Sequence, residues 1–388
     1  MPAATPLPRG PSVLTLYSAA DLLTAPGCPV CRYAAEADDR YLGWFALEGH
    51  AEPAMITAMC ASLGMCAAHT RRLASQPGAA IRLTAVYRYV LIAARDLLSS
   101  RAAPVQPCPA CQRKDAASRN ALETLLDGLA TGEAIGRCRD LGGVCIPHLT
   151  AAVAAGPRRV AAWLADTMHE VLTASPAVPR WLAGTDPDAE DRAALRRAPQ
   201  AAGARTSVTC TACLAAARAE HDSLARLRPM DQANTAVVLC ATHLADAAAA
   251  GAESGQLRSL LAWQAACAGA LSARRLRPGR MPGCLVCRDV GIAGKDALAE
   301  LARARQNRSP LCVRHYLGAR TGDKRTELTL GPGLAHAADL LISELADSFE
   351  QSTWASRQGT PVSPSDAWRR AAAFLDGAVL GAARAGGP

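Results

Sequence analysis

Apolar residues recur along the chain at the spacing of one helix face. Similar stripes begin at Leu83, Leu122, Leu257 and Leu334. No segment shows the sustained alternation of period two that half-buried strands require. The pattern therefore predicts an all-α protein. Its clearest stretch advances as i, i+3, i+4, i+8, i+11 and i+12, one continuous stripe on a helix: Val160, Trp163, Leu164, Met168, Val171 and Leu172.

The cysteines divide this helical pattern into four repeats. Twelve of the 15 cysteines and four of the eight histidines form a CxxC motif followed by a CxxH motif, four times over. The gaps between the two motifs are 34, 33, 26 and 24 residues. The four sets are Cys28, Cys31, Cys66 and His69; Cys108, Cys111, Cys145 and His148; Cys210, Cys213, Cys240 and His243; and Cys284, Cys287, Cys312 and His315.

The gap lengths and the proline content predict how the repeats are organised. The first two gaps are long and the last two short, so we expect two halves of two repeats each, with every repeat stapled by its own motif pair. The predicted divisions are an N-terminal tail over 1–19, a first half over 20–175, a Pro/Gly-rich linker over 176–207, a second half over 208–350, and a C-terminal tail over 351–388. We expect a short helix over 188–197, and a last helix over 365–383 that docks on the body.

Each motif pair has the residue types of a metal site. Two cysteines in CxxC converge on one ion, and the spacing of three in CxxH places Cys and His on one helix face. Gly64 and Gly143 would let the chain turn sharply into that helix, where the N-terminal dipole favours a thiolate. Three thiolates and one imidazole form a closed tetrahedral set suited to Zn²⁺, which predicts four zinc sites. Pairing within each repeat is the simplest assumption, and pairing between neighbouring repeats satisfies the same chemistry.

Two other chemistries use the same ligands. Iron–sulfur clusters are held by cysteines, with histidine replacing cysteine in some of them, and would make the chain a redox or oxidant-sensing protein. Thiol–disulfide exchange at CxxC is disfavoured because no thioredoxin-like βαβ pattern is present. The sequence also contains no Gly-rich phosphate loop, no GxSxG elbow and no HExxH motif, so a non-catalytic role is the expectation.

The remaining cysteines, histidines and acidic residues fit no template. Free cysteine is commonly a small buried apolar residue, and we expect this of Cys60, Cys138 and Cys267. The acidic residues near the motifs are interpreted as a solvated face: Glu36, Asp38, Asp39, Glu123 and Asp127. The other histidines are interpreted as surface or hydrogen-bonded groups: His50, His169, His221 and His336.

Composition and charge limit the compartment and the partners. The net charge is +8, from 42 basic and 34 acidic residues, and four zinc sites of net charge −1 would lower it to about +4. The arginine cluster over 274–280 has no interleaved aromatic residues, so nucleic acid is a disfavoured partner. Neither an apolar run of 18 residues nor a secretory signal is present, which predicts a cytoplasmic protein with reduced thiols and no membrane partner.

The motifs resemble those of an uncharacterised bacterial family of Cys-rich helical proteins, whose members carry CPxC and GxCxxH motifs in tandem. The first copy spans Cys28 to Cys31 and Gly64 to His69, and the second spans Cys108 to Cys111 and Gly143 to His148. The third and fourth copies lack both the proline in CxxC and the glycine before CxxH. The resemblance implies a metal site and no activity.

The sequence thus predicts a zinc-binding helical repeat protein that presents a helical surface to a protein partner. Besides iron–sulfur chemistry, two alternatives stay open at this point. Sixteen candidate ligands in one chain would suit a metal store or metal chaperone. A zinc-dependent regulator would dock on DNA through the arginine cluster.

Overall fold

A computed structural model describes residues 18–76, 79–99, 105–174, 180–184, 210–227, 239–249, 254–272, 284–303, 311–320, 324–357 and 367–376. Within these ranges the chain is helical and contains no strand, which confirms the predicted all-α class. None of the described helices has both the length and the apolar character needed to cross a membrane.

The N-terminal part, residues 18–184, begins with a short helix and continues through longer ones. Its α-helices, in chain order, are α1 (Ala19–Leu22), α2 (Pro29–Leu47), α3 (Pro53–Ala61), α4 (Ala67–Ala74), α5 (Ala79–Ser99), α6 (Pro109–Thr131), α7 (Ile135–Asp140), α8 (Ile146–Ala155) and α9 (Arg158–Ala174). Single 3₁₀ turns cover Gly49–Ala51 and Arg180–Ala183.

The C-terminal part, residues 210–376, has the same order of motif helices and long helices. Its α-helices are α10 (Thr211–Arg226), α11 (Ala241–Ala249), α12 (Ser254–Ser272), α13 (Leu285–Arg303), α14 (Val313–Arg320), α15 (Lys324–Arg357) and α16 (Ala367–Asp376). Both CxxC helices of each part pack against each other, α2 against α6 and α10 against α13.

The long helices that follow the CxxH motifs join the two parts of the chain. Helix α5 packs along α15, and α9 packs along α12. The apolar stripe predicted for α9 supplies the contact, since Val160, Leu164, Met168 and Leu172 are buried. Each of these contacts pairs a helix from the N-terminal part with one from the C-terminal part.

Two hydrophobic cores result, and each takes residues from both parts of the chain. The first surrounds Leu125, Leu164 and Met168 and includes Leu261 and Val286 from the C-terminal part. The second surrounds Phe45, Tyr87 and Leu91 and includes Tyr316 and Trp368. Alanine contributes many of the buried positions, and small side chains allow helices to approach closely. A Cβ on Gly128 of α6, for example, would lie 2.3 Å from the Cβ of Ala19 on α1.

The segment that ends each part packs across to the other part. The Arg180–Ala183 turn contacts α8 and also α11, and α16 contacts α14 and also α4 and α5. Asp376 at the end of α16 pairs with Arg314 of α14, and its carboxylate accepts a hydrogen bond from the backbone N–H of Ala67. The predicted docking of the last helix on the body is thereby confirmed for 367–376. The predicted helix over 188–197 lies outside the described residues.

Substitution of Trp368 measures how much the docked C-terminal helix stabilises the fold. Its side chain is 1% exposed, whereas Trp263 on α12 is 40% exposed. We expect Trp368→Ala to cost about 3–5 kcal/mol, because a large cavity opens in the second core. Trp263→Ala should cost less, because less apolar surface leaves the interior. Denaturant unfolding followed by circular dichroism measures both variants, and equal midpoints would contradict the described docking.

Candidate metal centres

The motifs come together in four groups of three cysteines and one histidine, and each group could hold a metal ion. Within a group, all ligand atoms lie within 4.8 Å of one another. Site A is formed by Cys28, Cys31, Cys145 and His148; site B by Cys66, His69, Cys108 and Cys111; site C by Cys210, Cys213, Cys312 and His315; and site D by Cys240, His243, Cys284 and Cys287.

The groups join neighbouring repeats, so the expected pairing within each repeat is wrong. The outer motifs of each part form one site and the inner motifs form the other, which makes the pairing nested. Helix geometry gives the reason. His69 lies beside Asp38 of α2, ten residues beyond Cys28, and ten helical residues span about 15 Å. The first CxxC is therefore too far from His69, and the start of the antiparallel helix α6 supplies the cysteines instead.

Every motif begins a helix. The carbonyl of each motif's first cysteine accepts the backbone N–H four residues later, so that cysteine is the N-cap and the second ligand lies in the first turn. The two residues between the cysteines of CxxC are part of the helix and do not form a separate turn. Pro29 and Pro109 occupy the first helical position, where a missing N–H costs nothing. Each site thus lies where two helix N-termini meet. The partial positive charge there favours thiolates.

The glycines before two CxxH motifs have the predicted role. Gly64 has φ of +89° and Gly143 has φ of +85°, a region that side chains rarely adopt. At Gly143 a Cβ would also lie 3.0 Å from the sulfur of Met168. These residues turn the chain into α4 and α8, so that Cys66 and Cys145 face their partners.

The distances within the groups fit ligands arranged around a single small ion. A tetrahedral zinc site with ordinary bond lengths has S···S edges of about 3.8 Å and S···N edges of about 3.6 Å. One Sγ···Sγ pair in each site lies between 3.5 Å (Cys31 and Cys145) and 3.9 Å (Cys213 and Cys312). The histidines all direct Nδ1 at the sulfurs, at 3.0 Å to 3.6 Å.

The other ring nitrogen of three histidines donates a hydrogen bond to a residue that the sequence analysis did not assign to the sites. His69 Nε2 donates to Asp38 Oδ2 (3.1 Å), His148 Nε2 to Ser118 Oγ (2.9 Å), and His243 Nε2 to Glu220 Oε1 (3.0 Å). Such hydrogen bonds fix the tautomer and the orientation of a ligating imidazole. A signal was present in the sequence, because each acceptor lies ten residues after the first cysteine of its CxxC.

Asp38 is the most constrained of these acceptors. It is completely buried and pairs with Arg72, which also reaches Asp39. Burial raises the pKa of the Asp38 carboxyl, but hydrogen bonds from His69 and Arg72 outweigh it, so the pKa lies below its usual range. Burial lowers the pKa of His69, while hydrogen bonds with Asp38 and with the thiols of Cys108 and Cys66 more than compensate and raise the pKa to about 12.

The four groups differ in exposure. Site A is buried at all three cysteines, and sites B and C mix buried with half-buried ligands. Site D is the most accessible, because Cys287 is exposed and Cys240 and Cys284 are half-buried. Asp246 is buried close to Glu220 and His243, which adds a second carboxylate beside this site.

The cysteines outside the motifs are free thiols that belong to none of the four groups. Cys138 and Cys267 are buried, and Cys60 is half-buried against the second core. Burial raises the pKa of all three, that of Cys138 to about 12, so they are poor nucleophiles. The expectation of buried apolar cysteines is confirmed for Cys138 and Cys267. The four remaining histidines lie outside the groups, with His169 and His336 exposed.

A shallow cleft of about 350 Å³ lies beside site A. Its wall includes Cys28, Glu36, Asp39 and Trp181. Arg32, also in the wall, is held by the carbonyls of Leu22 and Ala25. Glu36 and Asp39 are exposed, as the interpretation of a solvated face predicts, whereas Asp38 is not.

Comparison with known protein families, curated proteins and solved structures gives no match. The resemblance to a bacterial family with tandem motifs therefore stays a prediction.

Nested pairing predicts which thiols become reactive when one ligand is removed. In protein supplied with zinc, Cys31→Ser should expose Cys28 and Cys145 to alkylation, because these share its site. Cys66 should stay protected, because its partners are Cys108 and Cys111. Mass spectrometry after brief alkylation identifies the modified residues.

Cys60→Ser is the matched control, since Cys60 belongs to no group and its loss should leave all sites protected. Exposure of Cys66 in place of Cys145 in the Cys31→Ser variant would show pairing within the repeat and contradict the geometry.

Proposed function

We propose that the protein binds four zinc ions, one in each Cys₃His group, and that the ions act as structural cross-links of a helical scaffold. The observation that carries the proposal is that all four groups converge on tetrahedral edge lengths with the same histidine nitrogen, although their ligands come from distant segments. Closed four-ligand sites of this composition are typical structural zinc sites.

The electrostatics of each group support a bound divalent cation. Three thiolates and Zn²⁺ leave a net charge of −1, and two helix N-termini face that charge. Without a cation, three thiols packed in partly buried positions cannot all ionise, because like charges repel and burial disfavours charge. Three cysteines placed this close together are therefore better suited to bind zinc as thiolates than to remain three free thiols.

The positions of the sites support a structural role for the ions. Site A joins α2 to α8 and site B joins α6 to α4, and α2 packs against α6 between the two sites. Sites C and D join α10 to α14 and α13 to α11 in the same way. Only 4% of the residues are aromatic, and alanine fills much of the interior, so each buried residue contributes little apolar area. Cross-links through metal compensate for such a core.

We further propose that the chain is a tandem duplication. Its two parts share the order of CxxC helix, CxxH helix, long helix, CxxC helix, CxxH helix and long helix. In this interpretation each half is one nested pair of repeats. The two halves pack against each other through α5 with α15 and α9 with α12. The repeat is thus not a self-contained unit, because its ligands complete the site of its neighbour.

The scaffold would act in the cytoplasm, where reduced thiols stay available for zinc. A protein partner fits best, because several large apolar side chains are exposed on the described helices. Isolated exposed apolar residues are ordinary on protein surfaces, but those here are large and belong to different helices. They are Leu47, Tyr89, Ile292 and Leu340.

Iron–sulfur clusters are the weaker candidate. In a cluster, the protein ligands bind different irons that are bridged by sulfide, so they stand further apart than ligands of one ion. Here four ligand atoms lie within 4.8 Å of one another in every group, which favours a mononuclear site.

Metal content and colour test the proposal directly. Protein purified without oxygen should contain about four zinc ions per chain by elemental analysis, and it should be colourless because Zn²⁺ has a filled d shell. His148→Ala should lose about one zinc and melt at a lower temperature, since the cross-link between α2 and α8 is missing. His169→Ala is the matched control, because His169 is exposed and belongs to no group.

Two outcomes would overturn the proposal. Iron with acid-labile sulfide and visible absorption would make clusters the function of these ligands. Unchanged zinc content and melting in His148→Ala would show that site A does not hold a structural ion.

A further inference from the structure

One position distinguishes the four sites, and it lies ten residues after the first cysteine of each CxxC. This residue is Asp38 in the first repeat, Ser118 in the second and Glu220 in the third. Each accepts the hydrogen bond from Nε2 of its own repeat's histidine. In the fourth repeat the residue is Gly294, which has no side chain. The hydrogen bond to the histidine is therefore made within a repeat, although the metal group is shared between repeats.

His315 of site C consequently differs from the other three ligating histidines. Its Nδ1 contacts Cys210, Cys213 and Cys312 at 3.2 Å to 3.5 Å, and its backbone N–H points at the sulfur of Cys312. Within the described part of the chain, Nε2 of His315 makes no hydrogen bond. Gly294 is partly buried, and a Cβ built on it would meet nothing within 4 Å, so there is open space at this position.

The missing acceptor weakens a ligand in two ways. The imidazole ring is no longer held in one orientation, and its Nδ1 is less basic without an acceptor on Nε2. Loss of such an outer contact typically lowers metal affinity by about 10- to 100-fold. A carboxylate strengthens the contact more than a hydroxyl does, which ranks Asp38 and Glu220 above Ser118.

We infer that the four sites are graded, and that site C binds its ion most weakly and gives it up first as free zinc falls. This inference rests on the proposed zinc function and adds Asp38, Ser118 and Glu220 as positioning residues for the ligating histidines. Three ions then maintain the fold, while the occupancy of site C follows the zinc concentration.

Accessibility gives a different order from affinity, so the measurement has to be made at equilibrium. Site D has the exposed Cys287 and would exchange fastest if access to solvent decided. At equilibrium the path of escape no longer matters, and the strength of the ligand set decides. The holoprotein is therefore incubated at each concentration of a zinc chelator until its zinc content is constant.

The thiols uncovered with the first equivalent of zinc identify the site. In the wild-type protein we expect alkylation followed by mass spectrometry to label Cys210, Cys213 and Cys312 at that step. First labelling of the cysteines of site A, B or D would overturn the inference. A protein that is purified without zinc would instead refute the proposed function, so the two failures are distinguishable.

Restoring the acceptor provides the matched test. Nothing lies within 4 Å of a Cβ at position 294, so a new acceptor has to span that space to reach the His315 imidazole. Aspartate has a longer side chain than serine and is therefore the better substitution. Gly294→Asp should raise the chelator concentration that removes the first equivalent by about 10- to 100-fold. Gly291→Asp is the control, since Gly291 lies one turn earlier on α13 with the same open space and adds the same charge. Coinciding titrations of these two variants would overturn the inference.

A second variant removes an existing acceptor, so its result does not depend on whether a new side chain reaches the histidine. Glu220→Ala removes the acceptor at site D and should weaken that site by a similar factor, so that a second equivalent leaves early. Asp222→Ala, at an exposed position on the same helix, should leave the titration unchanged. Identical titrations of Glu220→Ala and Asp222→Ala would show that the contact does not position the histidine, which also overturns the inference.

Discussion

The architecture depends on one requirement, that two helix N-termini meet at each metal group. Every motif's first cysteine caps a helix and its second ligand lies in the first turn, so a site exists only where two helices begin side by side. Helices α2 and α6 run antiparallel, so the start of α2 meets the start of α8 at site A and the start of α6 meets the start of α4 at site B. Helices α10 and α13 meet α14 and α11 in the same way. The nested pairing of motifs follows from that arrangement, because each CxxC helix extends about 15 Å from its own site to the neighbouring one.

The Cys₃His groups and the hydrophobic cores join different sets of helices. Each group fixes one CxxC helix against the short CxxH helix of the neighbouring repeat. The long helices then pack by apolar stripes, α5 with α15 and α9 with α12, and bury residues such as Leu91 and Leu164. Both cores draw on both parts of the chain, so neither part contains a complete core of its own. The four ligand groups are each local to one part, whereas apolar packing unites the two parts.

The negative charge of each Cys₃His zinc group would be offset by groups that lie close to it. A Cys₃His zinc group carries a net charge of −1, and helix N-termini offset it from two directions. At site B the buried carboxylate of Asp38 adds further negative charge, and Arg72 pairs with it. Near the same site, Arg314 pairs with Asp376 and donates to the carbonyl of Ser62, linking the C-terminal helix to both parts of the chain.

The sequence by itself determined the helical class, the sixteen ligands and their grouping in pairs, because a spacing of three residues places two side chains on one helix face. It also determined the turns at Gly64 and Gly143. Only the tertiary structure decided which pairs meet, since the spacing between motifs does not show where a helix leads. Asp38 illustrates the same limit: among exposed neighbours such as Asp39 it reads as one more solvated acid, and only the packing of α4 against α2 brings His69 to it and buries it.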